Sequence, residues 1–70
     1  MIRIPVANSS NIARIGYDQE THTLEVEFLK GSLYQYFDVP PAVYDEFLSA
    51  DSKGKYLATQ IKGNYRYARV

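Results

Sequence analysis

The fold is decided by residues 23–37, TLEVEFLKGSLYQYF. Thr23–Leu29 alternates between apolar and polar side chains, and Ser32–Phe37 follows as a second run that places Leu33, Gln35 and Phe37 on one face and Tyr34 and Tyr36 on the other. A period of two is typical of strands that bury one face and leave the other in water. The turn Lys30-Gly31 between them is short, and glycine adopts the positive φ that such turns use. The stretch therefore predicts an antiparallel hairpin.

The hairpin extends toward both ends of the chain. Ile12–Tyr17 reads as a further strand, joined to the hairpin by a polar turn, which gives a three-stranded antiparallel meander. The tail Tyr65–Val70 alternates with period two and predicts an optional fourth, terminal strand. We expect that strand to lie beside Ile2–Val6, while the polar residues from Asn8 to Asn11 form a loop.

Two short helices follow the meander. Pro41–Ser49 begins with proline at a position that favours it, and Pro40 is the expected N-cap residue. Lys53–Lys62 has Asp51-Ser52 before it as the N-cap signal and Gly63 after it as the residue that ends the helix. Tyr56, Leu57, Gln60 and Ile61 are predicted to form its buried stripe. The predicted class is α+β, with the meander packed on two helices.

Length and composition bound the architecture. Seventy residues make one domain, so residues 1–70 are read as a single unit with a small core. The chain has no cysteine, which excludes disulfides and thiolate metal sites. Neither a signal peptide nor a run of about 20 apolar residues is present. We therefore expect a cytoplasmic protein that does not engage a membrane.

Charge is divided unequally along a chain whose net charge is zero. Residues 1–51 carry three cations and eight acids, a balance of −5, whereas residues 52–70 carry five cations and no acid. The two parts can attract each other within the fold, or the basic part can face an anionic partner. Lys53 and Lys55 flank Gly54 at a predicted helix start, where cations oppose the helix dipole and a bound anion would favour them.

His22 and the pair Glu25 and Glu27 are the residues that could carry catalysis. His22 is the only histidine and lies in a polar turn. Ser9 and Ser10 are candidate nucleophiles by residue type only, so we read His22 as a solvated turn residue. Glu25 and Glu27 point the same way, roughly 7 Å apart. Such a pair can hydrolyse glycosides, but strand alternation alone also predicts it as a solvated face. We predict no enzyme, no catalytic residue, no metal site and no cofactor.

Tyr34 and Tyr36 share one face of the last meander strand. If that face is open, they form an aromatic platform on which bases stack; if it meets the helices, they are core residues. Phe28 and Phe47 are expected to be buried where the sheet meets the first helix.

An ordered set of short segments resembles the KTSC domain. The segments are SSNI at residues 9–12, IGYD at 15–18, TLEVEF at 23–28, YQY at 34–36, DVP at 38–40, VY at 43–44, SKGKY at 52–56 and IKGNY at 61–65. This family is named for its occurrence at the C-terminus of some lysyl-tRNA synthetases, and it also occurs as short free-standing bacterial and phage proteins. The resemblance covers about residues 6–70 and implies no established catalytic function or ligand. Attachment to a synthetase points, by association, to RNA.

We therefore expect a small non-enzymatic binding module with an anionic ligand, RNA or single-stranded DNA. The alternative is a protein–protein adaptor or homodimer that uses a sheet edge or the tyrosine face. The predicted contacts with an anionic ligand lie in the basic part of the chain: Lys53, Gly54, Lys55, Lys62, Tyr65, Arg66, Tyr67 and Arg69.

Overall fold

A five-stranded antiparallel sheet forms the body of the computed structural model, which describes residues 3–6 and 9–70. Two helical segments follow the fourth strand and precede the fifth. In chain order the elements are β1 (Arg3–Pro5), β2 (Ile12–Asp18), β3 (Thr23–Phe28), β4 (Leu33–Tyr36), α1 (Pro41–Ser49), α2 (Lys53–Tyr56, continued by a π-helical turn over Leu57–Ile61) and β5 (Tyr67–Arg69). The α+β class is confirmed.

The strands lie side by side in sequence order, from β1 to β5. The predicted meander is present as β2, β3 and β4, but the count of three or four strands is wrong because both ends of the chain add a strand. The expected pairing of the two ends is also wrong. β1 pairs with β2, while β5 pairs with β4 at the opposite edge. Ile2 and Asn8, which the predicted edge strand and loop included, lie outside the described residues.

The outer face of the sheet, which the helices do not cover, is held by ion pairs. Arg3 on β1 pairs with Gly16 on β2, and Gly16 pairs with Glu25 on β3. Since Gly16 has no side chain, Arg3 reaches across β2 and donates to Glu25, which also accepts from Gln35 at 3.1 Å. Glu25 is 5% exposed, so the expectation that it is solvated is wrong.

Burial by itself raises the pKa of Glu25, but the hydrogen bonds from Arg3 and Gln35 and the charge of Arg3 outweigh it, so the pKa is lowered. Glu27 is paired in the same manner, with its Oε1 2.8 Å from the Nε of Arg14. The two glutamates therefore stabilise strand pairing.

The inner face of the sheet carries the core. Tyr17, Leu24 and Tyr36 lie on neighbouring strands at the same level, as do Ile15, Val26 and Tyr34. A bulge between Ile12 and Arg14 turns Ile12 inward as well. The helices close this layer with their fully buried side chains: Phe47 from α1 and Leu57 and Ile61 from the second segment.

Helix α1 has the predicted bounds and begins after Pro40, with proline at its first position. Of the predicted N-cap pair Asp51-Ser52, Ser52 caps α2, since its side chain accepts from the backbone N–H of Lys55. Gly63 has φ +84°, the conformation expected of a residue that ends a helix.

The second helical segment differs from its prediction in one turn. The amide of Lys62 donates to the carbonyl of Leu57, five residues earlier, which marks a π-helical turn. Leu57 and Ile61 are buried as expected, but the wider turn leaves Gln60 exposed. The prediction for Gln60 is wrong because it assumed an α-helical period.

Phe28 does not occupy the expected place under the first helix. Phe47 is 0% exposed, whereas Phe28 is only half-buried and lies at the opposite end of the inner face. Its ring meets Tyr34 edge-on, with centroids 5.5 Å apart. The open space beside these two rings is the candidate functional site.

Candidate binding groove

A groove of about 720 Å³ opens on the inner face at the end where β3 turns into β4. This volume lies in the range of sites that take small ligands or a short segment of a polymer. Its walls come from the loop before β2, the β3–β4 hairpin, the end of the second helical segment and β5. The lining residues are Ser10, Asn11, Phe28, Leu29, Lys30, Ser32, Tyr34, Tyr36, Lys62, Gly63 and Tyr67. We call this site the aromatic groove.

Four aromatic rings, from Phe28, Tyr34, Tyr36 and Tyr67, dominate the groove. The cross-strand pairing of Tyr36 with Tyr67 brings the tail into this site. The Tyr67 ring centroid lies 5.8 Å from that of Tyr34 and 5.7 Å from that of Tyr36. Tyr67 is 60% exposed, while Tyr36 is 2% exposed. The groove thus has an exposed aromatic surface above a buried aromatic floor.

Lys30 and Lys62 provide the charge of the groove. The Nζ of Lys62 lies 5.7 Å from the centroid of the Phe28 ring, within the range of a cation–π contact. Lys30 lies in the turn after β3. Among the residues that the structure describes, no aspartate or glutamate lines the groove, although the chain contains eight acidic residues. A ligand in this groove therefore meets positive charge without a neighbouring carboxylate.

Only two of the predicted contact residues, Lys62 and Tyr67, line the groove. Arg69 lies near it, on the same face of β5 as Tyr67, and its guanidinium donates to the Ser32 hydroxyl at 3.3 Å. Tyr65 packs partly buried against the core. Arg66 forms an exposed ion pair with Asp38, at 3.0 Å.

The segment Lys53-Gly54-Lys55 lies outside the groove, at the start of the second helical segment. The Nζ of Lys53 contacts the carbonyl of Ala50 at 3.4 Å. A Cβ at Gly54 would lie 2.9 Å from the side-chain oxygen of Asn11. Packing therefore explains the glycine at position 54, because the Asn11 side chain approaches its backbone closely.

Sequence reasoning missed Lys30, Phe28 and Asn11 as members of one site. Lys30 is a single lysine in a hairpin turn, and nothing in its sequence context distinguishes it from a solvated turn residue. Phe28 follows the same alternation as the core residues of β3. The signal that pointed toward the site was the pair Tyr34 and Tyr36, of which the structure buries Tyr36 and leaves Tyr34 half-buried.

The candidate catalytic residues His22 and Ser9 lie in different loops, and each makes contacts that stabilise its own loop or strand. His22 is exposed in the β2–β3 turn, and its ring stacks on Tyr17 at 6.5 Å. Ser9 accepts from the amides of Asn11 and Ile12 and shapes its own loop. Across residues 3–6 and 9–70, no group of three or more histidine or acidic side chains is placed to hold a metal ion. In the same residues, no helix is both long and apolar enough to cross a membrane.

Comparison with known proteins gives consistent matches. The family model of the KTSC domain matches residues 8–65. A lysine–tRNA ligase of Nostoc punctiforme is 41% identical over 61 residues, which cover 87% of this chain but 11% of the ligase. An uncharacterized protein of Stutzerimonas stutzeri is 46% identical over 63 residues, covering 89% of each chain. The crystal structure of a KTSC domain protein from Yersinia pestis matches with a TM-score of 0.93 and 39% identity, covering 99% of this chain and 96% of that one. This chain belongs to the KTSC domain family.

Proposed function

We propose that this protein is a non-catalytic module that binds single-stranded nucleic acid, RNA or DNA, in the aromatic groove. Bases stack on the exposed ring of Tyr67 and on Tyr34, while Lys30 and Lys62 contact flanking phosphates. The observation that carries the proposal is the composition of the lining, which combines four aromatic rings and two lysines with no carboxylate among the described residues.

Each part of the lining has a role in such binding. Stacking of a base on an aromatic side chain contributes about 1–3 kcal/mol and tolerates any base. Lysine ammonium groups neutralise phosphates and release the counterions bound to them. The glutamates of β3 lie on the outer face, where Arg3 and Arg14 neutralise them. Their charge is therefore kept away from a ligand in the groove.

The relatives give a second, weaker support. A segment similar to this chain occupies about 11% of a lysine–tRNA ligase, a protein named for an RNA substrate. A binding module for single-stranded RNA is compatible with that setting. The ligase activity itself belongs to the longer protein.

Salt dependence tests the proposal and counts the phosphate contacts. Two lysines in contact with a single strand give a slope of log affinity against log salt of about −1.4, whereas all five cations after residue 51 would give about −3.5. We expect a value near −1.4 for the parent protein with a short unstructured oligonucleotide, measured by fluorescence anisotropy. No salt-sensitive binding to RNA or DNA would refute the proposal.

Two double variants locate the site. Lys30→Ala with Lys62→Ala should remove most of the slope, because both lysines of the groove are lost. Lys53→Ala with Lys55→Ala is the matched control, since it removes two lysines outside the groove. Thermal melting of both variants checks that the fold is intact. If the control variant loses binding and the groove variant does not, the ligand binds at the start of the second helical segment.

The second candidate is a protein contact or homodimer through the same tyrosine face. The 60% exposure of Tyr67 at the β5 edge favours this reading. Strand addition has less support, because β1 and β5 are three residues long and Pro5 lacks an amide donor. Sedimentation of the parent and of Tyr67→Ala distinguishes the candidates: a dimer that the substitution dissociates would support self-association.

A further inference from the structure

Tyr36 is the floor of the aromatic groove, and its hydroxyl has no partner there. The residue is 2% exposed, yet its hydroxyl makes no hydrogen bond with any residue in the part of the chain that the structure describes. The hydroxyl of Tyr17, by contrast, donates to the carbonyl of Val39, and that of Tyr56 donates to Glu46. These two hydroxyls stabilise the fold through hydrogen bonds, whereas the Tyr36 hydroxyl forms none with the described residues.

A buried polar group without a partner costs about 1–3 kcal/mol, so a hydroxyl on a nearly buried residue that has no protein partner is expected to reach solvent. No side-chain oxygen among the described residues is both fully buried and unpaired. The small exposed fraction of Tyr36 therefore includes its hydroxyl oxygen, and the cavity that Tyr36 lines is the aromatic groove. A ligand placed there meets the Tyr36 hydroxyl among the aromatic rings, in a lining that also includes Ser10, Asn11 and Ser32.

We propose that the Tyr36 hydroxyl is the base-reading group of the groove and donates a hydrogen bond to the edge of a base stacked against Tyr67 and Tyr34. This inference rests on the proposed function and adds base preference to it. The rings of Tyr67 and Tyr34 provide the stacking surface. The Tyr67 ring centroid lies 5.7 Å from that of Tyr36 and 5.8 Å from that of Tyr34. The hydroxyl below them is the group that distinguishes one base edge from another.

Burial first, and then the neighbouring hydroxyls of Tyr34 and Tyr67, raise the pKa of Tyr36 above its ordinary value. The hydroxyl consequently keeps its proton at neutral pH and is available as a donor. Stacking alone tolerates every base, whereas a site with a positioned donor discriminates against a base that leaves the donor unpaired.

Tyr36→Phe tests the proposal because it removes one oxygen and keeps the ring. We would measure the affinities of short U, C and A homopolymers for the parent, for Tyr36→Phe and for Tyr44→Phe. Tyr44 is a matched control: it is half-buried, stacks on Tyr17 and does not line the groove.

The parent should prefer one homopolymer. Tyr36→Phe should weaken that complex about 3–10-fold and bring the three affinities together, as expected for one lost hydrogen bond. Tyr44→Phe should leave the ranking unchanged.

The outcomes separate this inference from the proposed function. If the parent binds but does not rank the homopolymers, or if Tyr36→Phe keeps the ranking of the parent, the base-reading role is refuted and the binding function stands. If the parent binds none of them, both are refuted. Thermal melting gives a further check. A clear loss of stability in Tyr36→Phe would mean that the hydroxyl has a partner within the protein, and this too would overturn the inference.

Discussion

The two ends of the inner sheet face carry similar aromatic side chains but are covered differently. At one end, Tyr17 stacks on Tyr44 of α1 with ring centroids 4.7 Å apart, and its hydroxyl is bonded to the carbonyl of Val39. At the other end, the rings of Phe28 and Tyr34 meet edge-on, and the Nζ of Lys62 lies over the Phe28 ring beside an open groove. We call these regions the covered end and the open end.

The difference follows from how far the helices extend. Helix α1 has nine residues, which span about 13 Å at 1.5 Å per residue, whereas the molecule measures 27 × 24 × 24 Å. A helix of this length covers part of the inner face and leaves the remainder open. Strand alternation thus decides which side chains point inward, and helix length decides which of them become core residues.

The largest expected effect is the contrast between Phe47→Ala and Phe28→Ala. Phe47 is fully buried at the covered end, so its truncation should cost about 3–5 kcal/mol and leave a domain of this size largely unfolded. Phe28 is half-buried, so its truncation should cost about 1–2 kcal/mol. Urea denaturation of both variants measures the two losses. Equal losses would contradict the distinction between a covered and an open end.

The next effect concerns hydroxyl groups at the covered end. Tyr17→Phe removes the donor to the carbonyl of Val39, a residue that is itself fully buried. Leaving that carbonyl without a partner should cost about 1–3 kcal/mol. The control is Tyr44→Phe, which keeps the stacked ring and loses no hydrogen bond present among the described residues. Equal denaturation midpoints for Tyr17→Phe and the parent would show that the bond contributes nothing.

The sequence predicts the covered end better than the open end. Alternation places Leu24 and Val26 inside, and proline at residues 40 and 41 marks the start of α1. These features are local, so they can be read from neighbouring residues. The groove is different, because it joins Asn11, Lys30 and Lys62 from three segments that are distant in sequence.

The edge strands show the same limit. Tyr67 alternates like a strand residue, but nothing local to it specifies whether it pairs with β4 or with β1. The π-helical turn that exposes Gln60 is also set by packing, since Leu57 and Ile61 both reach the core. Long-range pairing and tertiary packing therefore account for what the sequence leaves open.

Alkaline pH should destabilise the fold through its buried and half-buried tyrosines. Burial is the largest cause that raises the pKa of Tyr17, Tyr36 and Tyr44 from the ordinary value of 10.0. The folded state then holds these protons more tightly than the unfolded state. Their contribution to stability is complete below about pH 10 and is lost as the pH rises through the raised pKa values. Urea midpoints measured across this range should fall with pH, and Tyr17→Phe and Tyr36→Phe should each reduce the fall. A flat profile would contradict the raised pKa values.

The smallest expected effect tests whether a cation at the covered end also contacts the ligand. Arg66 is one of the residues predicted from sequence to bind an anion, but it pairs with Asp38, and both side chains are more than three-quarters exposed. Asp38 has φ +58°, a conformation that asparagine also tolerates, so Asp38→Asn removes the charge without a new backbone strain. Because an exposed ion pair contributes about 0–1 kcal/mol, stability should change little.

Releasing Arg66 should leave the salt slope of binding unchanged if the ligand stays in the aromatic groove, and should steepen it by about 0.7 if Arg66 contacts a phosphate. We expect no change, because Arg66 does not line the groove. A steeper slope with tighter binding would extend the interface from the open end to the covered end and would restore Arg66 as a contact residue.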